Sequence, residues 1–233
     1  MPRTALILVL LVLARAFAAA KAGAQAHLHS ALPAVVAGAE RGQTVDGIAA
    51  RIEDDILTES EVTELAAFQT MVDGQSKPRS EIIGELADQW IVRGEATATQ
   101  YPEPSAQDID NAYAQLEKQF PSAEEFQKRR AAVGLTEAAL QRLLAQQLYL
   151  SRFLDFRFRP AAQVDDQQVA AYYQKDFVPQ LQKRGEPVPP LSDVEDTIRE
   201  VLIQRAINDR ATAWLDETRE RLQIDVISQE NKR

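Results

Sequence analysis

The sequence predicts a mainly α-helical protein with a small β-sheet made by an N-terminal hairpin and a C-terminal strand. Three observations lead to that class. Ile48, Ala50 and Ile52 alternate with Gly47, Ala49 and Arg51, the period of a half-buried strand. Near the other end, Leu222, Ile224 and Val226 alternate with Gln223 and Asp225. Between them lies a series of segments with helical apolar spacing, each opened by a hydroxyl or carboxylate cap. A lone terminal strand leaves its backbone donors and acceptors unpaired, so it needs a partner. The available partner is the opening strand, and pairing the two would close one domain.

The elements follow in order. Glu53-Asp54-Asp55 makes a polar turn, and Ile56-Leu57 start a short return strand. Thr58 and Glu61 form an S/T-x-x-E capping box, in which each side chain satisfies the other residue's backbone N–H. The helix it opens runs from about Glu59 to Val72 and stops at Asp73-Gly74. The next begins near Ser80 and ends before Tyr101-Pro102. Ser105 with Asp108 opens another, and Ser122 with Glu125 a further one that Gly134 closes. Thr136 caps a helix reaching Arg159-Pro160, and Asp165 or Asp166 starts the one after it. Val178–Pro190 is expected as a short connector, after which Ser192 with Glu195 forms a box opening the closing helix. No internal repeat and no sustained heptad register points to a rod.

Composition narrows the function classes. Residues 1–26 read as a secretory signal: Arg3 is a positive start, Ala5–Ala14 an unbroken apolar run, and Ala16-Phe17-Ala18 and Ala24-Gln25-Ala26 are small-residue cleavage sites. Such a run is too short for a hydrocarbon core that needs ~20 residues, so no stable membrane insertion is expected after cleavage. Residues 27–44 are Ala/Gly-rich and read as a flexible leader. The chain has no cysteine, which rules out disulfides and acylation at a lipobox. Its formal charge is −9, and losing Arg3, Arg15 and Lys21 with the signal takes it to −12. That balance disfavours nucleic acid and anionic lipid as partners, since both need a basic face.

Two stretches carry a resemblance to a known family. VDGIAARIEDDILTESEV, from Val45 to Val62, resembles the opening of the SurA-type periplasmic chaperones, which belong with the trigger factor/SurA peptide-binding domains. LSDVEDTIREVLIQRAINDRATAWLDETRERLQIDVI, from Leu191 to Ile227, is similar to the helix and strand that close the same domain there. The helical stretch between follows the family order, so the resemblance spans about Thr44–Ile227. It implies a SurA-like multi-helix chaperone core over 45–177, completed by the closing helix and strand at 191–227, with 228–233 as a tail. One departure matters. In the family, parvulin-type prolyl isomerase domains usually sit before the closing helix, whereas VPQLQKRGEPVPP occupies that place here. Thirteen residues are too few to fold into such a domain.

The candidate residues follow from these readings. Catalytic residues are expected to be absent. His27 and His29 are the only imidazoles, both in the leader, and a cofactor or metal site is not expected. If cleavage falls after Ala26, the new terminus His27-Leu28-His29 is the weaker alternative, an end able to wrap Cu(II) or Ni(II). Acidic groups at Asp54-Asp55, Glu124-Glu125, Asp165-Asp166 and Asp193/Glu195/Asp196 sit in turns or first helical turns, where they complement the macrodipole. The positive signal is aromatic. In Leu148–Phe158, one stripe of Leu140, Leu144, Leu148, Ser151, Leu154 and Phe158 makes a core face, and Tyr149, Phe153 and Phe156 form a second stripe. A helix apolar on two faces is either sandwiched between neighbours or lines a groove. Phe68, Met71, Trp90, Tyr113 and Phe126 carry the same ambiguity. Together with the resemblance, these residues imply a peptide-binding surface for unfolded or extended polypeptides, outer-membrane precursors among them. The expectation is an exported, periplasmic holdase without isomerase activity. The alternatives are a dedicated assembly partner of one envelope protein and an isomerase.

Overall fold

β1 (Ile48–Ile52) is the centre of the sheet. It pairs antiparallel with β2 (Asp55–Thr58) on one edge and β3 (Ile224–Val226) on the other, giving the order β2-β1-β3. The structure, a computed structural model, describes residues 46–227. The expected signal, the leader with His27 and His29, and the tail lie outside them. The expected closure is present: Ala50 stands opposite Val226, Arg51 opposite Asp225, and Ile52 opposite Ile224. Beyond the ladder, the Ile227 N–H donates to the Ala49 carbonyl at 2.9 Å.

The strict alternation expected for β1 is broken. Ile48 pairs with Thr58 but Ala50 with Leu57, so Ala49 is an extra residue with no partner across the ladder to β2. Such a bulge turns the added side chain and increases local twist. Ala49 and Ala50 are therefore both buried, whereas alternation alone would have turned Ala49 outward with Arg51. The hairpin closes through Glu53-Asp54, with Glu53 at φ +50°, a conformation uncommon outside glycine.

The helices begin and end much as their caps dictate. α1 (Glu59–Asp73) opens with the full Thr58/Glu61 box. It ends at Gly74, whose φ of +79° is the left-handed C-cap conformation that glycine adopts without strain. α2 (Arg79–Ala98) is followed by α3 (Ala106–Glu117), where Ser105 and Asp108 exchange side-chain to backbone hydrogen bonds. In α4 (Ala123–Ala132) Ser122 caps the Glu125 N–H, but the Glu125 carboxylate pairs with Arg129 at 3.1 Å instead of returning to Ser122. α5 (Glu137–Phe158) starts from a Thr136 cap and runs into a 3₁₀ turn at Arg159–Ala161. α6 (Asp166–Tyr172) carries a box, Asp165 with Gln168, that the sequence reading did not identify.

One expectation near the connector needs correction, and the connector itself is partly helical. The first seven residues of Val178–Pro190 form α7 (Val178–Arg184). α6 passes into α7 through a π-helical turn at Tyr173–Phe177, where the Val178 N–H reaches back five residues to the Tyr173 carbonyl. The physical cause lies at Pro179. It has no N–H to give the Lys175 carbonyl and its ring crowds that group, so the helix widens one turn upstream rather than breaking. The box expected at Ser192/Glu195 does not form. α8 (Leu191–Arg219) takes Pro190 as its N-cap; Ser192 donates to Asp193, and Glu195 pairs with Arg199.

The described residues divide into two compact units. The first holds 46–86, 110–141 and 224–227, the second 87–109 and 142–223. The helix and strand read as one closing element thus fall in different units: α8 in the second, β3 in the first. In the first unit, Val62, Leu65, Phe68 and Met71 of α1 supply core, as do Leu116 and Phe126. A polar lock joins α1 to the start of α2: the buried Gln69 amide donates to Glu85 and accepts from the Lys77 N–H, while the Lys77 ammonium pairs with Glu85. In the second unit, Ile198, Ile207, Ala211 and Leu215 form the buried stripe of α8.

Candidate functional site

The eight residues singled out in the sequence fall four in each unit, and five of them are buried. Phe68 and Met71 of α1 and Phe126 of α4 are buried in the first unit, and Tyr113 of α3 is half-buried there. Phe126 accepts edge-to-face packing from two rings, Tyr113 at 5.4 Å and Phe120 at 5.2 Å between centroids. Such pairs add packing energy beyond area burial. These four residues are core or its margin, and none offers an open peptide face. Trp90 of α2 is half-buried in the second unit.

The stripe on α5 is likewise mostly closed. Tyr149 is 8% exposed and Phe153 1%, but Phe156 is 62% exposed. The helical spacing that puts the three on one face is correct; what covers the first two is a loop residue that sequence reasoning missed. Tyr101 lies between α2 and α3 and meets all three rings: Tyr149 at 5.9 Å, Phe153 at 5.5 Å and Phe156 at 5.2 Å. The Tyr149 hydroxyl donates to the Tyr101 carbonyl at 3.3 Å, fixing the loop to the helix. The signal was present in Tyr101-Pro102-Glu103-Pro104. An aromatic residue held extended by a following proline is a fixed platform as well as a helix stop.

Ion pairs flank this cluster. Arg152 binds Asp108 at 2.7 Å and Arg157 binds Glu95 at 2.7 Å. Hydrogen bonds from Arg152 and then Ser105 hold the Asp108 carboxyl well below its ordinary range. Burial, with Asp155 and Tyr149 nearby, pushes the Tyr101 phenol up against the opposing effect of Arg152, so it stays neutral. Arg159 bridges Asp155 and Glu200, which draws the Glu200 carboxyl below its usual value. Arg157 also lies over Trp214, 4.8 Å from its centroid. Each of these charges has an opposite partner, so the exposed Phe156 ring sits among neutralised pairs rather than in a field of one sign.

Several of the acidic residues at turns and helix starts have structural partners. Asp165 caps α6, Asp166 and Glu195 share Arg199, and Glu125 binds Arg129. Among the described residues no group of three histidine, cysteine or acidic side chains is arranged to hold a metal ion. Among the same residues no helix is long and apolar enough to cross a membrane. The arrangement offers one exposed aromatic ring, Phe156, on an aromatic support. The chain matches no protein-family model and no curated protein.

Proposed function

We propose that this chain is an exported, SurA-like holdase that binds extended segments of unfolded envelope proteins without isomerising them. The observation that carries the reading is Phe156, an exposed ring whose underside rests on Tyr101 beside the buried Phe153. A large exposed apolar side chain on a rigid support binds apolar groups at little entropic cost, because it is already ordered. The strand order supports the kinship on which the reading rests, since the first strand pairs with the last as the resemblance implies. Release would follow from the client's own folding, as the sequence carries no nucleotide-binding motif.

The test is suppression of aggregation of an unfolded β-barrel protein by the purified chain, with prolyl-peptide isomerisation followed in parallel. The expected result is slowed aggregation, weak dependence on added salt, and isomerisation at its uncatalysed rate. Phe156→Ser should keep the melting temperature and lose most of the holding activity. No suppression by the wild type, or full suppression by a folded Phe156→Ser variant, overturns the proposal. Suppression confined to one folded partner would favour the assembly-partner reading instead.

A further inference from the structure

The ladder between β1 and β3 fixes which backbone groups of β3 are used. The Ile227 N–H donates to the Ala49 carbonyl at 2.9 Å, which makes Ala49 and Ile227 a hydrogen-bonded pair. In an antiparallel ladder such pairs alternate with non-bonded ones. Arg51 with Asp225 is therefore the next bonded pair, while Ala50 with Val226 and Ile52 with Ile224 are non-bonded. The N–H and C=O groups of Ile224 and Val226 thus point away from β1. β3 ends the strand order, so among the described residues no strand lies on that side.

The opposite edge offers less. Arg51 turns its backbone bonds toward β3, so Ile56, its partner in β2, directs its own outward. The next outward position is Thr58, whose N–H is taken by the Glu61 carboxylate at 2.7 Å. Side chains repeat the contrast at β3. Ala50 and Ile52 are fully buried, whereas Ile224 and Val226, opposite them on the same face, are half-buried and 53% exposed. The apolar face of the sheet therefore runs past its cover at β3, and one more strand would extend that cover.

Charge selects the occupant. Two copies of β3 that used both outward positions in an antiparallel pair would set Asp225 opposite Asp225 across a non-bonded pair, where side chains come closest. Like charges there are destabilising, which disfavours a second copy of this chain. Around the edge, Glu53, Asp54, Asp55 and Asp225 are exposed, with Arg51 as the one cation of the three strands and the hairpin turn. A foreign strand with a cation opposite Asp225 meets attraction instead.

We propose that the open edge of β3 takes up an extended segment of another polypeptide as an added strand, one in which apolar residues alternate with lysine or arginine. Its backbone bonds the outward groups of Ile224 and Val226, its apolar residues cover those two side chains, and its cation faces Asp225. Main-chain bonds supply affinity in such strand addition, and the alternate side chains supply selectivity. Phe156 belongs to the other unit. The inference does not rest on the holdase reading, and either can fail without the other.

The test is hydrogen exchange of the full chain, followed by NMR, with a short peptide alternating valine and lysine. At saturating peptide the Ile224 and Val226 amides should exchange at least about ten-fold more slowly, with Asp225, already bonded to β1, little changed. A peptide with glutamate for lysine should bind more weakly, and one N-methylated on its bonding edge should give no protection. Val226→Pro removes an outward N–H and none that bonds β1, so it should keep the fold and lose the peptide. Asp225→Lys, on the solvent face, should reverse the charge preference, and Phe156→Ser should bind the peptide as the wild type does. Circular dichroism melting checks the fold of each variant. Unprotected amides with the lysine peptide overturn the proposal, as does binding that survives N-methylation or, in a folded protein, Val226→Pro. Protection of the same amides by self-association without peptide overturns it in favour of a second copy.

Discussion

Deleting Ile224–Arg233 removes β3 and strips one edge from β1. The loss can be worked from the ladder. Ile224 is half-buried and Val226 is 53% exposed, so each contributes about half of a fully buried side chain, or ~1 kcal/mol. Hydrogen bonds across β1–β3, with the Ile227 to Ala49 bond beside them, contribute ~1 kcal/mol each net. With about three of those bonds, the total is ~5 kcal/mol, a large part of an ordinary domain's stability. For a chain of this size that corresponds to a fall of ~10–20 °C in melting temperature. The assay is thermal unfolding by circular dichroism, with hydrogen exchange of the β1 amides as a local readout. The expected result is a lower transition and fast exchange at Ala49–Ile52. An unchanged melting temperature with protected β1 amides would refute the pairing and the closure argued from it.

Two further outcomes follow from polar groups. Glu85→Ala leaves the buried Gln69 amide and the Lys77 ammonium without their shared acceptor, and should cost about 2–4 kcal/mol in chemical denaturation. Glu85→Gln, which keeps an acceptor in place, should cost less. Asp108 has its folded-state pKa held below the ordinary 3.8 by Arg152 and Ser105. Its pairing therefore stabilises fully above that value and is lost only as pH falls through the depressed one. NMR titration of the carboxyl should show ionisation persisting below pH 3.8, and Arg152→Gln should move the titration upward. A titration unmoved by that substitution would assign the depression to the Ser105 cap alone.

The sequence by itself determined the element types and most of their ends. Thr58/Glu61, Ser105/Asp108, Thr136 and Asp165 act within one turn of their own backbone, so their effect can be read locally. It also determined that β3 needs a partner and that β1 was available. Tertiary structure decided what depends on neighbours distant in sequence. Whether Tyr149, Phe153 and Phe156 line a groove turned on Tyr101, a loop residue whose ring closes over the first two and leaves the third exposed. The inward turn of Ala49 depended on a register shift against β2. The Ser192/Glu195 box had the right letters, yet Glu195 bonds Arg199 one turn on, and Arg199 is also held by Asp166 and the Val164 carbonyl. A capping box competes with every other donor its carboxylate can reach. That competition is settled by packing, which periodicity along one chain segment does not contain.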